Sequence, residues 1–208
     1  MRKWGLSAEE EDPRELPTQN PLADLINTHG SIRLVENTIF FYTGIDTVAC
    51  GELNRLLRDV DKKLNQASII MEAEAFKPTI HLRINSGGGD LFAALATVDT
   101  IRSLKSSVYT YVEGAAASAA TLISIAGRKR HIGQNSFMLI HQLSTVCAGT
   151  FEQLEDEQEN NRRLMTSIKS IYKQYTKIPM KELDNILKRD IWFDSETCLR
   201  HGLVDTIV

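Results

Sequence analysis

The stretch Thr79–Asp90, TIHLRINSGGGD, reads as a β-strand that breaks into three consecutive glycines where a helix begins. Just beyond it, Leu91, Leu95, Val98 and Ile101 recur at steps of three and four, the apolar stripe of an amphipathic helix. SVYTYVE (107–113) then returns to strand. Strand, helix and strand with short connections make a βαβ unit, and that unit sets the class as α/β. The alternation extends both ways. NTIFFYTG (37–44) is β-rich and ends on a glycine, and DTVACGELNRLLRDVDKKL (46–64) puts Leu53, Leu56, Leu57, Val60 and Leu64 on one helical face. SFMLIHQ (136–142) is a further strand.

The totals narrow the function classes. A chain of 208 residues has room for a real hydrophobic core in one large domain or two small ones. Its net charge of −3 argues against nucleic acid or anionic lipid as the main partner. The short cluster Arg128-Lys129-Arg130 reads as a solvated turn. Cys50, Cys147 and Cys198 have no metal-ligand spacing and an odd count, which predicts reduced thiols and a cytoplasmic protein. No apolar run reaches the length of a membrane span, and the N-terminus lacks the apolar core of a signal peptide. Residues 1–22 are polar and Pro-punctuated, a flexible arm or propeptide-like segment ahead of one domain over 23–208.

One helix is too long for a domain of this size. From about 150 to 175, Phe151, Leu154, Gln158, Asn161, Met165, Ile168, Tyr172 and Tyr175 alternate in steps of three and four. This heptad-like seam predicts pairing with another copy, with Gln158 and Asn161 setting the register; the alternative is a helix laid across its own domain.

Four positions carry chemistry. In VEGAAASAATLI (112–123), Ser118 stands alone among alanines in a segment that reads as helix. It is either one more small packing residue or a nucleophile at a helix N-terminus. The glycines of NSGGGD let the backbone approach a ligand and present N–H groups as an anion nest, although the Lys-Ser/Thr of a P-loop is absent. His141 ends an apolar strand, and Asp190 in KRDIWF follows a helix, where many aspartates are caps. Together they supply nucleophile, base, orienting carboxylate and oxyanion donors, the parts of an acyl-transfer site.

The ordered motifs INSGGGD, GAAASAA, NSFMLIHQ and KRDIWFDSETCLRHGLVDTIV resemble the proteolytic subunit of the Clp proteases, the ClpP family, over roughly residues 32–208. The resemblance implies a ClpP/crotonase-like fold of repeated β-β-α units with a protruding handle helix. It implies a serine endopeptidase with Ser118 as nucleophile, His141 as base, Asp190 as third member, and the N–H groups of Gly89 and Ala119 as oxyanion donors. It further implies stacked heptameric rings enclosing a chamber for unfolded polypeptide. An AAA+ unfoldase partner would use the ATP, with no cofactor or metal in this chain. Departures are visible as well. Gly87 replaces a motif proline, Ala119 and Ala120 replace Met-Gly, and Asp194 replaces a serine and so rivals Asp190. His81 and Arg83 stand where the family has aromatic residues in its unfoldase groove, which predicts weak docking through an unpaired guanidinium. Rival readings are a crotonase-like acyl-CoA enzyme, a Ser-Lys dyad peptidase and a non-catalytic ring subunit.

Overall fold

The computed structural model describes residues 31–70 and 78–208, so the arm expected over 1–22 lies outside the described residues. The strands are β1 (Ser31–Val35), β2 (Thr38–Tyr42), β3 (Thr79–Ser86), β4 (Ser107–Ala117), β5 (Lys129–Ile132), β6 (Phe137–Leu139), β7 (Trp192–Phe193) and β8 (Thr206–Ile207). The helices are α1 (Thr47–Ile70), α2 (Leu91–Ser103), α3 (Ala119–Ile125), α4 (Phe151–Tyr175), α5 (Met180–Ile186) and α6 (Ser195–Arg200). The sheet order is β1-β2-β3-β4-β5-β8, with β6 on β4 and β7 on β6. All pairs are parallel except β1–β2 and β6–β7. β5 borders β4 over Tyr109–Val112, and β6 takes the same edge over Ala115–Ala117.

Alternation along β3 buries Ile80, Leu82 and Ile84, and β2 adds Ile39 and Phe41 to the same core. Leu53, Leu57 and Val60 of α1 and Ala94 and Val98 of α2 complete that core. Leu64, expected on the α1 stripe, is only partly buried, because the helix continues to Ile70 past the edge of the core. Asp90 caps α2 by accepting the Ala93 N–H at 3.0 Å, so the glycine loop ends in a firm helix start. The opposite sheet face keeps Phe40, His81, Arg83, Tyr109 and Tyr111 half-exposed. Among the described residues no helix is long and apolar enough to cross a membrane.

Three expectations change. The alanines before Ser118 are strand, since Ala115, Ala116 and Ala117 pair with Phe137, Met138 and Leu139 of β6. Sheet pairing in the core overrides alanine's helix preference, which is a weak bias per residue. The Arg128–Arg130 cluster is solvated at Arg128 and Lys129, which are exposed, but not at Arg130. Arg130 sits in β5, its side chain 13% exposed, paired with Asp205 at 2.5 Å and donating to the carbonyls of Gly202 (2.8 Å) and Tyr175. A cation on the last carbonyl of α4 complements that helix's negative end.

The long seam divides. Ile168 and Tyr172 are buried in the core and Met165 packs on it, whereas Phe151 and Leu154 stay exposed. The first half is therefore the free handle, and the second half crosses its own domain.

Candidate active site

β4 ends at Ala117, and α3 starts at Ala119. Ser118 makes the whole turn between them, with φ 53° and ψ −125°. A side chain is uncommon at positive φ, and such strain persists only where the surroundings over-determine it. Several bonds do so here. The Ser118 N–H donates to the Leu139 carbonyl at 2.8 Å, and its carbonyl accepts both the Thr121 N–H (3.0 Å) and the Thr121 hydroxyl (2.6 Å). The sharp strand-to-helix turn lifts the serine side chain out of the sheet, as in a nucleophile elbow.

The glycine loop is pressed against this turn. A Cβ on Gly88 would lie 2.6 Å from the Ala117 carbonyl and 2.8 Å from Ser118 Cβ, at a φ of +95°. Gly89, at φ +141°, bridges Ile45: the Ile45 N–H donates to Gly88 O, and the Asp90 N–H donates to Ile45 O, both at 2.8 Å. That bridge leaves the Gly89 N–H without a partner, and the Ala119 N–H is free as well, among the described residues. The two expected oxyanion donors are both unspent.

Ser118, Ala119, Gly89 and His141 line one cleft of about 220 Å³, walled by Leu91, Leu122, Leu143, Ile168 and Tyr172. His141 follows β6, whose Leu139 also anchors the Ser118 amide, so one strand sets both residues. The His141 Nδ1 lies 2.6 Å from the Gln142 carbonyl. A carbonyl only accepts, so this bond puts the proton on Nδ1 and leaves Nε2 as the acceptor in the neutral ring. No hydrogen bond yet joins His141 to the serine hydroxyl.

The carboxylates are not where the sequence suggested. Asp190 is exposed, does not line the cleft and makes no hydrogen bond or ion pair among the described residues. His141 takes the Gln142 carbonyl in place of Asp190. Asp194 is the cap: it accepts the Thr197 N–H at 2.8 Å, and the Thr197 side chain together with that N–H holds its carboxyl below the usual range. The His141 and Asp190 segments are tied together on both sides: the Gln142 N–H donates to the Leu187 carbonyl, three residues before Asp190, and β7, just after it, pairs with β6.

His81 and Arg83 lie on the open sheet face, away from the cleft. Arg83 is not unpaired: it pairs with Glu113 and lies 5.0 Å from the Tyr111 ring centre and 5.9 Å from that of Phe40. His81 Nδ1 meets the Tyr111 hydroxyl at 3.0 Å. Burial and the Glu113 carboxylate push the neighbouring Tyr42 phenol up to about 12. The Arg83 guanidinium is therefore matched with a carboxylate and two rings, and not unpaired as the sequence suggested.

Two residues beside the nucleophile turn carry no signal in the sequence reading: Tyr172, which the heptad pattern places on the assembly seam, walls the cleft, and Thr121, fully buried behind it, bonds to the Ser118 carbonyl and the Tyr172 hydroxyl.

The chain matches the Clp protease family model over residues 54–208. It is 35% identical over 140 residues, 66% of its length and 72% of the relative's, to the ATP-dependent Clp protease proteolytic subunit 4 of Rhodococcus jostii (strain RHA1). It is 30% identical over 142 residues, 67% of its length and 70% of the relative's, to the ATP-dependent Clp protease proteolytic subunit of Deinococcus radiodurans. A mutant of ClpP1 from Listeria monocytogenes shares the fold with a TM-score of 0.71 at 22% identity, covering 83% of this chain and 91% of its own. A family match over most of the chain, joined to a strained serine turn beside a glycine loop, places this chain in the Clp protease family, and so among the peptidases.

Proposed function

We propose that this chain is a serine-type endopeptidase subunit that cleaves unfolded polypeptide inside an oligomeric chamber in the cytoplasm. The observation that carries the reading is the Ser118 turn, held at positive φ in one cleft with His141 and two free backbone N–H groups. Ser118 Oγ attacks the peptide carbonyl while its proton passes to His141 Nε2. The carbonyl oxygen becomes an oxyanion between the N–H groups of Gly89 and Ala119. The imidazolium then gives its proton to the leaving amine as the C–N bond breaks, and water releases the acyl group by the same steps in reverse. No cofactor or metal is needed for this sequence. ATP enters only through an AAA+ unfoldase partner that feeds chains to the chamber.

A crotonase-like acyl-CoA enzyme would use the same two N–H groups but leave Ser118 and His141 without work. A fluorophosphonate separates the readings: it should label Ser118 covalently at near one per chain and fail on Ser118→Ala. Wild-type protein that takes no label overturns the serine mechanism.

Asp190 is proposed as the orienting carboxylate, reached when the segment tied to Gln142 through Leu187 draws toward His141. The exposed position of Asp190 gives the non-catalytic ring subunit its one supporting observation. Asp190→Asn should lower peptidase kcat about 10³- to 10⁴-fold, and Asp194→Asn only by a small factor through its lost cap. Equal, small losses would assign the protein an orienter other than Asp190.

Assembly is proposed to be homo-oligomeric, as two stacked heptameric rings. Charged replacements at Met165 and Ile168 would test folding rather than assembly, since both pack on the core. Phe151→Glu with Leu154→Glu should yield smaller species by light scattering at unchanged thermal stability. An unchanged mass for that double variant would place the contact elsewhere.

A further inference from the structure

We propose that Tyr172 of α4 is a positioning residue for Ser118, acting through Thr121 as a hydrogen-bonded brace between the long helix and the nucleophile turn. The inference builds on the reading of Ser118 as nucleophile. Tyr172 is 2% exposed, the largest fully buried side chain of the fold, and a phenol at that depth needs a polar partner. Its hydroxyl meets Thr121 Oγ1. Thr121 has one proton, and that proton is given to the Ser118 carbonyl at 2.6 Å. Tyr172 must therefore be the donor in the next link, so the chain runs in one direction: Tyr172 O–H to Thr121 Oγ1, Thr121 O–H to Ser118 C=O. Burial also keeps the phenol protonated by raising its pKa.

The direction has a consequence for the turn. A threonine hydroxyl rotates freely unless an incoming donor fixes its lone pair. With Tyr172 donating, the Thr121 proton is aimed at the carbonyl of the one residue held in strained geometry at the site. Locking that carbonyl locks Ser118 ψ and the orientation of the Ala119 N–H, an oxyanion donor. Small errors in such placement are costly to rate. The far end of the brace is itself fixed, because Arg130 holds the Tyr175 carbonyl and Arg102 lies 4.9 Å from the Tyr175 ring centre. Ile168, one turn before Tyr172, is buried in the cleft wall.

The test uses full-length protein carrying Tyr172→Phe, Thr121→Val, Thr121→Ser or the Tyr172→Phe/Thr121→Val pair. Fluorophosphonate end-point labelling counts folded sites, and the labelling rate per site reports positioning. Tyr172→Phe should slow labelling and lower kcat about five- to tenfold, with KM within about twofold and near-full end-point labelling. Thr121→Ser keeps the hydroxyl and should stay near wild type, whereas Thr121→Val should fall at least as far as Tyr172→Phe. The double variant should be no slower than Thr121→Val alone, because both act through one bridge. A Tyr172→Phe protein that labels at the wild-type rate, or losses that simply add, overturns the brace. If Ser118 takes no label even in wild type, the nucleophile reading fails on its own. Amide exchange at Thr121, whose N–H donates to the Ser118 carbonyl, then decides the brace: faster exchange in Tyr172→Phe supports it, and unchanged exchange overturns it.

Discussion

Ser118→Ala is expected to lower peptide hydrolysis by about 10⁴ to 10⁶ while leaving the fold and the thermal midpoint close to wild type. The change removes one oxygen from a half-buried side chain that makes no side-chain hydrogen bond, so little stability is at stake. The backbone bonds of the turn all belong to main-chain atoms of residue 118 or to Thr121, and survive. Alanine tolerates the left-handed φ no worse than serine does. All of the loss should therefore fall on kcat, through the missing nucleophile. Residual hydrolysis should come only from the oxyanion donors and binding, which act without the serine. A mutant that kept a tenth of wild-type activity would sink the assignment.

Gly89→Ala is expected to damage both the fold and the chemistry by adding a single carbon. A Cβ at this position would overlap the Ile45 carbonyl oxygen, which is backbone and already accepts the Asp90 N–H. The φ of +141° is also strained for any side chain. Both effects act on the same loop, so the Gly89–Ile45 bridge must open. Strain at one such residue and a displaced backbone together cost more than about 3 kcal/mol, a drop of roughly 6–12 °C in thermal midpoint for a chain of this size. Opening the bridge also turns the Gly89 N–H away from the oxyanion site, which removes about 10² to 10³ from kcat in whatever protein remains folded. Circular-dichroism melting and active-site labelling measure the two parts separately. A Gly89→Ala protein with wild-type melting and activity would mean that the loop has another resting geometry.

The contrast between the two variants comes from what each residue contributes. Ser118 supplies an atom to chemistry, and the fold is indifferent to it. Gly89 supplies an absence of atoms, and both the fold and the chemistry depend on that absence.

Local pattern alone was enough for the α/β class, for a helix over 46–64 that the structure extends to Ile70, for the helix that starts at Leu91, and for the strand that runs into the glycine loop. Such elements are set by side-chain period and by Gly or Asp punctuation, which neighbours in sequence carry. Ser118 and His141 were singled out by the resemblance of their motifs, since local pattern alone left Ser118 open between a packing residue and a nucleophile and read its segment as helix. Tertiary structure decided the rest. Ala115–Ala117 became strand only because β6 lies alongside them, and alanine itself commits weakly to either state. Arg130 was buried by acceptors at Tyr175, Gly202 and Asp205, far along the chain, which no local reading of a basic triplet can see. The seam of α4 was divided between free handle and core by where the domain ends beneath it. The partnering of Tyr172 with Thr121, and the separation of Asp190 from His141, depend on how α4 and the Asp190 segment pack. Periodicity is a property of one element, whereas a hydrogen bond between distant residues is a property of the packing of several.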